Sequence, residues 1–182
     1  MRYIALLLIL LLSGSFQGTK FYRTKIGKQV SILLPGDFVL VPPEEISTKF
    51  ISYRPSLAVY TNMTTEIDFG INTSVSRWRS EDIELVRSFY KSNIISLYDD
   101  VQFIREEIKP VNKRNFVIFE FISKINPEDK SAIRDTPVIK YTFIQYSLVK
   151  GTVYIFDFSS PADQQEIWRP VVTKIMESVK IK

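Results

Sequence analysis

The stretch from Val138 to Trp168 constrains the fold more than any other part of this sequence. It predicts two long β-strands joined by a tight turn at Lys150-Gly151, followed by a helix that begins near Ser160-Pro161. Aromatic and β-branched residues, which favour strands, occupy almost every second position of both strands. Because both alternating sets of residues are largely apolar, we expect both faces of this hairpin to be covered.

Other segments extend this pattern into a larger sheet. Apolar alternation and turn residues predict three more strand pairs, namely Lys20–Ile26 with Gln29–Leu34, Leu57–Asn62 with Glu66–Ser76, and Val101–Val111 with Asn115–Lys124. A long loop from Ile125 to Pro137 should separate the last of these pairs from the Val138 hairpin. The sequence therefore predicts an α+β fold with a central antiparallel sheet of about six or more strands.

Two amphipathic helices are predicted to cover that sheet, one on each face. The first spans Ser80 to Asp99, with Ser80 as its N-cap and an apolar stripe at spacings of three and four, formed by Ile83, Val86, Tyr90, Ile94 and Leu97. The second spans about Asp163 to Val179, and its inward residues should be Ile167, Val171, Val172, Ile175 and Val179. Pro170 predicts a break or kink in this helix near Trp168-Arg169.

The sequence contains no cysteine and no histidine. Disulfides, thiolate or imidazole metal sites, cysteine nucleophiles and Ser-His-Asp triads are therefore excluded. Only oxygen ligands remain for a metal, and only carboxylates remain as the common acid–base groups. We accordingly expect a protein that is not an enzyme and that has no catalytic residues, cofactor or metal.

The first 18 residues resemble a secretory signal peptide. Arg2 supplies a positive charge, Tyr3 to Leu12 is continuously apolar, and Ser13-Gly14-Ser15 offers small residues for cleavage. Ten apolar residues are about half of a membrane span. We therefore expect residues 1–18 to be removed on export, leaving residues 19–182 as a single domain without an integral membrane span, either periplasmic or secreted.

The formal net charge of +4 is modest for a chain of this length. Its lysines and arginines are interspersed with acidic residues, whereas a nucleic-acid-binding protein usually concentrates them in a stripe. The alternating basic residues Lys20, Arg23, Lys25 and Lys28 instead fit a strand at the edge of a sheet, where charge prevents edge-to-edge aggregation. We therefore expect no nucleic-acid partner.

Three segments resemble the PsbP-like family, whose fold is shared by the photosystem P subunit and a Ran-binding import factor. They are Val30 to Pro35, the helix Glu81 to Tyr98, and a C-terminal run in which an aromatic strand is followed by Pro161, Trp168, Ile175, Ser178 and Val179. The resemblance implies a central antiparallel sheet with helices on both faces. Phe38 stands where the family usually has an aromatic residue, often Trp, and no catalytic signature is carried over.

Glu120, Gln145 and Asp157 interrupt otherwise apolar strands. If these strands pair in sequence order, the three side chains could share one sheet face and form a polar site for acid–base chemistry or a hard cation. The alternative is a row of surface residues at an incompletely covered edge of the sheet, satisfied by water or arginine.

Arg77, Trp78 and Arg79 precede the first long helix and form the most distinctive candidate for a partner contact, because Trp and Arg are enriched at binding hot spots. The alternative is that Trp78 packs as a lid over the end of the sheet between two solvated arginines.

These patterns lead to three functional hypotheses. The first is an exported, non-enzymatic binding or accessory domain that contacts another envelope or secreted protein. The second is a carrier or sensor of a small apolar ligand, bound between helix and sheet in a pocket lined by Phe119, Phe121, Tyr146 and Phe156. The third is a hydrolase or metal enzyme built on Glu120 and Asp157. The identity of the partner and the oligomeric state are not predicted.

Overall fold

The computed structural model describes residues 19–49, 56–127 and 136–182 of the chain. The predicted leader and most of the loop between the predicted strands Asn115–Lys124 and Val138–Val149 lie outside these ranges. The described residues contain, in chain order, β1 (Phe21–Ile26), β2 (Val30–Pro35), β3 (Val39–Leu40), α1 (Pro43–Lys49), β4 (Ala58–Thr61), β5 (Asp68–Val75), α2 (Ile83–Leu97), β6 (Asp100–Val111), β7 (Arg114–Ile125), β8 (Val138–Val149), β9 (Thr152–Pro161), α3 (Gln165–Glu177) and β10 (Lys180–Ile181).

Seven of these strands form one antiparallel sheet in the order β3-β4-β5-β9-β8-β7-β6. The hairpin of β8 and β9 lies at its centre and pairs Val149 with Thr152 across the turn. Lys150 and Gly151 both have positive φ angles, 50° and 74°, as tight hairpin turns between twisted strands require. The α+β fold class and the central antiparallel sheet are therefore confirmed.

Helices cover both faces of this sheet, as predicted. Residues directly opposite each other on antiparallel strands share a face, so the register assigns each side chain to one of two layers. Helix α3 packs its buried residues Val172, Ile175 and Met176 on one face, among rings that include Phe143 and Phe158. Helix α2 packs Val86 and Ile94 on the other face, among residues that include Phe119, Phe121 and Tyr146.

The helix boundaries and phases differ in detail from the predictions. A 3-10 turn over Ser80–Asp82 precedes α2, and its N-cap residue is Arg79 and not Ser80. The carboxylate of Asp82 accepts a hydrogen bond from the backbone N–H of Arg79 at 2.8 Å. Leu97 was predicted to face inward, but 67% of it is exposed, because it lies in the last turn of α2, beyond the sheet contact.

The set of α3 residues that face the core also differs from the prediction. Ile167 is 67% exposed, whereas Trp168 packs its ring against Phe38 and Phe158, at centroid distances of 6.1 and 5.6 Å. A large aromatic ring buries more apolar area than an isoleucine, so α3 is oriented with Trp168, and not Ile167, packed against the core. The predicted break near Trp168-Arg169 is absent, since α3 continues through Pro170 as one helix.

A second, three-stranded sheet joins the two ends of the described chain in the order β1-β2-β10. The sequence predicted the hairpin of β1 and β2 but not β10, because Lys180–Ile181 is too short to show alternation. Strand β1 lies at the edge of this sheet, as its alternating basic residues suggested. One face of the sheet is buried and contributes Ile26, Val30, Ile32, Leu34 and Ile181 to the core.

Ser178 connects α3 to this small sheet. Its Oγ accepts a hydrogen bond from the backbone N–H of Leu33 at 2.7 Å and donates one to the carbonyl of Ile175 at 2.6 Å. The Ser178 hydroxyl thus accepts a hydrogen bond from β2 that the backbone of a neighbouring strand would otherwise accept.

Replacing Ser178 by Ala should lower the free energy of unfolding by about 1–3 kcal/mol, because the part-buried N–H of Leu33 loses the hydroxyl to which it donates. Urea unfolding measures the change. Thr173→Ala is a control, because Thr173 also bonds a helix carbonyl, that of Arg169, but at an exposed position. Equal losses for the two variants would contradict a special role for Ser178.

Candidate functional site

Glu120 is a carboxylate at the centre of a buried cluster of charges. It lies on β7 with a side chain that is 0% exposed, on the face covered by α3. Its oxygens contact Nε of Arg105 at 3.1 Å and Nε of Arg169 at 2.7 Å, and Oε1 accepts a hydrogen bond from the Tyr141 hydroxyl at 3.0 Å. Two arginines therefore neutralise one carboxylate.

The elements around Glu120 explain this arrangement. Strand pairing places Arg105 of β6 directly opposite Glu120, after an irregularity in the register between Phe103 and Arg105. Arg169 reaches the same carboxylate from α3. The Arg105 guanidinium also lies 4.7 Å from the centre of the Phe143 ring. Burial and the neighbouring Glu120 charge together raise the pKa of the Tyr141 hydroxyl, so Tyr141 acts as a neutral donor.

Gln145 lies on the same face as Glu120 but serves a different partner. On the paired strands, Glu120 is opposite Phe143 and Ile118 is opposite Gln145, so the two polar residues are diagonal neighbours. Gln145 is fully buried and donates from Nε2 to the carbonyl of Met176 at 3.1 Å. Among the described residues, no group donates a hydrogen bond to its Oε1.

Asp157 lies on the opposite face of the sheet. It is paired with Ile144, one position from the pair of Gln145 and Phe156, and successive strand residues point to opposite faces. The strands pair in sequence order, but the register still separates Asp157 from Glu120. The three predicted polar residues therefore do not form one cluster.

The surroundings of Asp157 change its acidity. Burial raises the pKa of its carboxyl to about 6, the nearby Asp68 charge adds to the increase, and Asn72 opposes it by donating to Oδ1 at 3.3 Å. Asp157 also covers Gly70, where an added Cβ would lie 2.5 Å from Oδ1. Asp157 thus occupies the space that the absent side chain of Gly70 leaves.

We expect Asp157→Asn to raise the free energy of unfolding near pH 7 by about 1–3 kcal/mol. The folded pKa lies above the unfolded one, so wild type binds more protons when folded and loses stability as pH rises from about 4 to 6. The asparagine removes that loss, and the difference between the two proteins should vanish near pH 4. Chemical unfolding at several pH values measures it; a difference independent of pH would contradict the effect.

The four rings proposed for an apolar ligand pocket are divided between the two layers. Phe119, Phe121 and Tyr146 face α2, whereas Phe156 faces α3. All four are at most 3% exposed. Tyr146 stacks on Tyr90 of α2 with ring centroids 3.8 Å apart, and Phe119 packs on the edge of Tyr146. The four rings therefore do not line one space, and Tyr146 is in direct contact with α2.

Arg77, Trp78 and Arg79 lie together at the entrance to α2 but differ in exposure. Both arginines are exposed, while Trp78 is partly buried against the α2 layer. Its ring packs on the edge of Phe89 at 5.1 Å and near Tyr90 at 6.4 Å. Trp78 thus packs against α2, and the two arginines on either side of it are exposed.

An open groove runs along the outer side of α3, with a volume of about 760 Å³. Its other walls come from the outer face of the small sheet and from the turn between β6 and β7. The lining residues are Arg23, Leu33, Asn112, Glu166, Arg169, Pro170, Thr173, Lys174, Glu177, Ser178 and Lys180. Four of them are cations and two are carboxylates, one of which, Glu177, is paired with Lys109 at 2.7 Å.

The sequence did not predict this groove. Its walls come from two ends of the chain, with β1 and β2 near the start and α3 and β10 near the end. No local sequence pattern predicts that Arg23 and Lys180 line the same groove. Arg169 was also missed as a partner of Glu120. The available signal was a lone carboxylate inside an apolar strand, which requires a cation, although the sequence does not say which one.

No protein-family model and no curated protein matches the sequence. Solved structures do match the fold. They include cyanobacterial PsbP (CyanoP) from Synechocystis, with a TM-score of 0.59, 13% identity, and coverage of 93% of this chain and 96% of that one. They also include the Ran-binding protein Mog1p from Saccharomyces cerevisiae, with a TM-score of 0.60, 9% identity, and coverage of 90% and 96%.

A third similar structure is LpqN from Mycobacterium tuberculosis, described as involved in cell envelope biogenesis. It has a TM-score of 0.55 and 9% identity, with coverage of 90% of this chain and 91% of that one. At such low identities the likeness concerns the fold alone. The chain therefore has the PsbP-like fold, as the sequence resemblance implied. In the described ranges, no helix is long and apolar enough to cross a membrane.

Proposed function

We propose that this protein is an exported, non-enzymatic binding domain that engages another protein through the groove beside α3. The observation that carries the proposal is the groove itself. It is concave, open to solvent and lined by more cations than carboxylates. Such a surface is suited to recognition, because charge complementarity steers a partner and fixes its register.

The arrangement of carboxylates supports a non-enzymatic role. Glu120 is held between two arginines, and its Oε1 contacts Arg169 and accepts a hydrogen bond from Tyr141, while Oε2 has an ion-pair contact with Arg105. Asp157 lies on the other face of the sheet and cannot act together with Glu120. A pair of carboxylates with separate acid and base roles, which the hydrolase hypothesis needs, is not assembled by these two residues.

A carrier function for an apolar ligand is less well supported. The candidate rings belong to two layers, and each layer is packed against its own helix. The groove, by contrast, is lined mainly by charged and polar residues, with Leu33 and Pro170 as its apolar ones. The proposal of export rests on the apolar segment at the start of the sequence.

The surface at Arg77, Trp78 and Arg79 is a second candidate for the contact with a partner. Arg77 and Arg79 are exposed, and Phe89 and Leu85 of α2 are 47% and 57% exposed beside them. Exposed arginine next to apolar side chains is a composition found at binding hot spots. The groove is preferred because it is concave and draws on several elements.

Cross-linking in cells that produce the protein tests the proposal. A photoreactive amino acid in place of Thr173, on the groove wall, should join a reproducible partner to the protein, and Lys174→Glu with Lys180→Glu, which leaves the cross-linking position in place, should abolish its capture. Lys140→Glu with Lys150→Glu makes the same charge change on exposed residues outside the groove and should have no effect.

A third variant separates the two candidate surfaces. Arg77→Glu with Arg79→Glu should leave capture intact if the groove is the contact site. Loss of capture in this variant alone would move the contact to the entrance of α2. Capture that no surface variant changes, or no reproducible partner at all, would contradict the proposed function.

A further inference from the structure

The cations of the groove are held in place by contacts within the protein. Arg23 donates from Nη1 to the carbonyl of Ser178 at 2.8 Å, and Nζ of Lys174 lies 4.2 Å from the centre of the Phe21 ring. Nε of Arg169 contacts Glu120 at 2.7 Å. Three of the four cations are thus oriented by the fold. Side chains ordered in advance lose less entropy when a ligand binds, so each contact to them is worth more.

Glu120 has a specific effect on Arg169. Its contact engages Nε, while 44% of the Arg169 side chain remains exposed and lines the groove. With Nε engaged, the two terminal Nη groups of an arginine can still form a parallel pair of hydrogen bonds with another carboxylate. A buried carboxylate therefore anchors the stem of Arg169 and leaves its outer end for a second carboxylate.

The four cations of the groove come from three different elements. Arg169 and Lys174 are five residues apart on α3, which corresponds to about 7.5 Å along the helix axis. Arg23 and Lys180 come from β1 and β10, on either side of β2. A single phosphate needs cations around one centre, whereas separated cations match an extended ligand with several negative charges.

We infer that the groove binds an extended acidic segment of a protein, with Arg169 contacting one of its carboxylates and Glu120 acting as the residue that positions Arg169. This inference rests on the proposed function and names the chemistry of the partner. Leu33 and Pro170 supply apolar contacts, and Asn112 and Thr173 supply polar ones between the charges. Glu166 marks the part of the groove where acidic side chains are disfavoured.

Fluorescence anisotropy with labelled octapeptides tests the inference on the purified protein. A peptide of eight Glu should bind, and a peptide of eight Gln or eight Lys should not. The affinity should fall as salt increases, because exposed charges are screened. Lys174→Gln with Lys180→Gln should weaken binding roughly tenfold, whereas Lys140→Gln with Lys150→Gln should change it less than about twofold. Equal effects of the two pairs would overturn the inference.

Glu120→Gln separates positioning from net charge. The substitution makes the protein more positive by one charge, so attraction by net charge alone would tighten binding of the Glu peptide. Loss of the anchor for Arg169 should instead weaken it by about fivefold or more. Arg169→Gln is a second variant that retains Arg105 as a partner of Glu120, and it should weaken binding to a similar extent. Tighter binding by Glu120→Gln, with no effect of Arg169→Gln, would overturn the positioning role.

Further outcomes distinguish the inference from binding to a membrane surface and from the proposed function. Binding to vesicles that contain an anionic phospholipid, without binding to the Glu peptide, would show that the groove contacts a membrane surface and would overturn the inference. Binding of the Glu peptide without a captured partner in cells would contradict the proposed function but support the inference. Capture of a partner that the groove variants abolish, without binding of the Glu peptide, would support the proposed function and overturn the inference.

Discussion

Replacing Glu120 by Gln should lower the free energy of unfolding by about 2–4 kcal/mol at neutral pH. The substitution preserves shape but leaves Arg105 and Arg169 converging on a neutral group in a buried position. Removing one partner of a fully buried ion pair typically costs about 3–5 kcal/mol. A smaller loss is expected here, because the side chains of the two arginines are 27% and 44% exposed and can reach water.

Urea unfolding followed by tryptophan fluorescence measures this loss. Glu107→Gln provides a matched control, since Glu107 also lies near Arg105, at 3.5 Å, but with a side chain that is 39% exposed. Exposed pairs contribute about 0–1 kcal/mol, so the control should be nearly as stable as wild type. A loss of less than about 1 kcal/mol for Glu120→Gln would show that the buried cluster is not important for stability.

Phe158→Ala and Phe119→Ala should each lower the free energy of unfolding by about 3–5 kcal/mol, because each removes a ring that is 0% exposed and leaves a cavity. Phe158 belongs to the α3 layer and contacts Trp168, while Phe119 belongs to the α2 layer and contacts Tyr146. The two layers should therefore contribute similarly to the free energy of unfolding. Chemical denaturation of both variants measures the losses.

Leu97→Ala is the control for these core substitutions, because Leu97 is 67% exposed and should contribute less than about 0.5 kcal/mol. The comparison also bears on the carrier hypothesis. A loss below about 1 kcal/mol for Phe119→Ala, together with a large loss for Phe158→Ala, would indicate that the α2 layer is loosely packed and has room for a ligand.

Local patterns in the sequence predicted most of the fold. The two-sided apolar alternation of Val138 to Val149 indicated a strand with both faces covered, and this segment forms the interior strand β8, between β9 and β7. The stripe through Val86 and Ile94 identified the buried side of α2. These predictions succeed because burial depends on a periodicity that a short segment already displays.

The site could not be predicted in the same way. The sequence identified Glu120 and Asp157 as unusual. The face of the sheet on which each side chain lies depends on strand register, and a register shift of one residue would move it to the other face. The partners of Glu120 come from β6 and α3, whose relative position is set by packing over the whole sheet. Ile167 and Trp168 compete for the same inward position, and only the neighbouring Phe38 and Phe158 rings decide between them.

The small sheet has a consequence for how the chain folds. Arg23 and Ser178, which bond to each other across it, are 155 positions apart in sequence. Contacts between such distant segments form slowly, because the intervening chain must first lose much of its freedom. The hairpin of β1 and β2 can form early, but the pairing of β2 with β10 can form only after the C-terminal segment has reached it. The cations of the groove, which need Ser178 and α3 in place, should therefore come together last during folding.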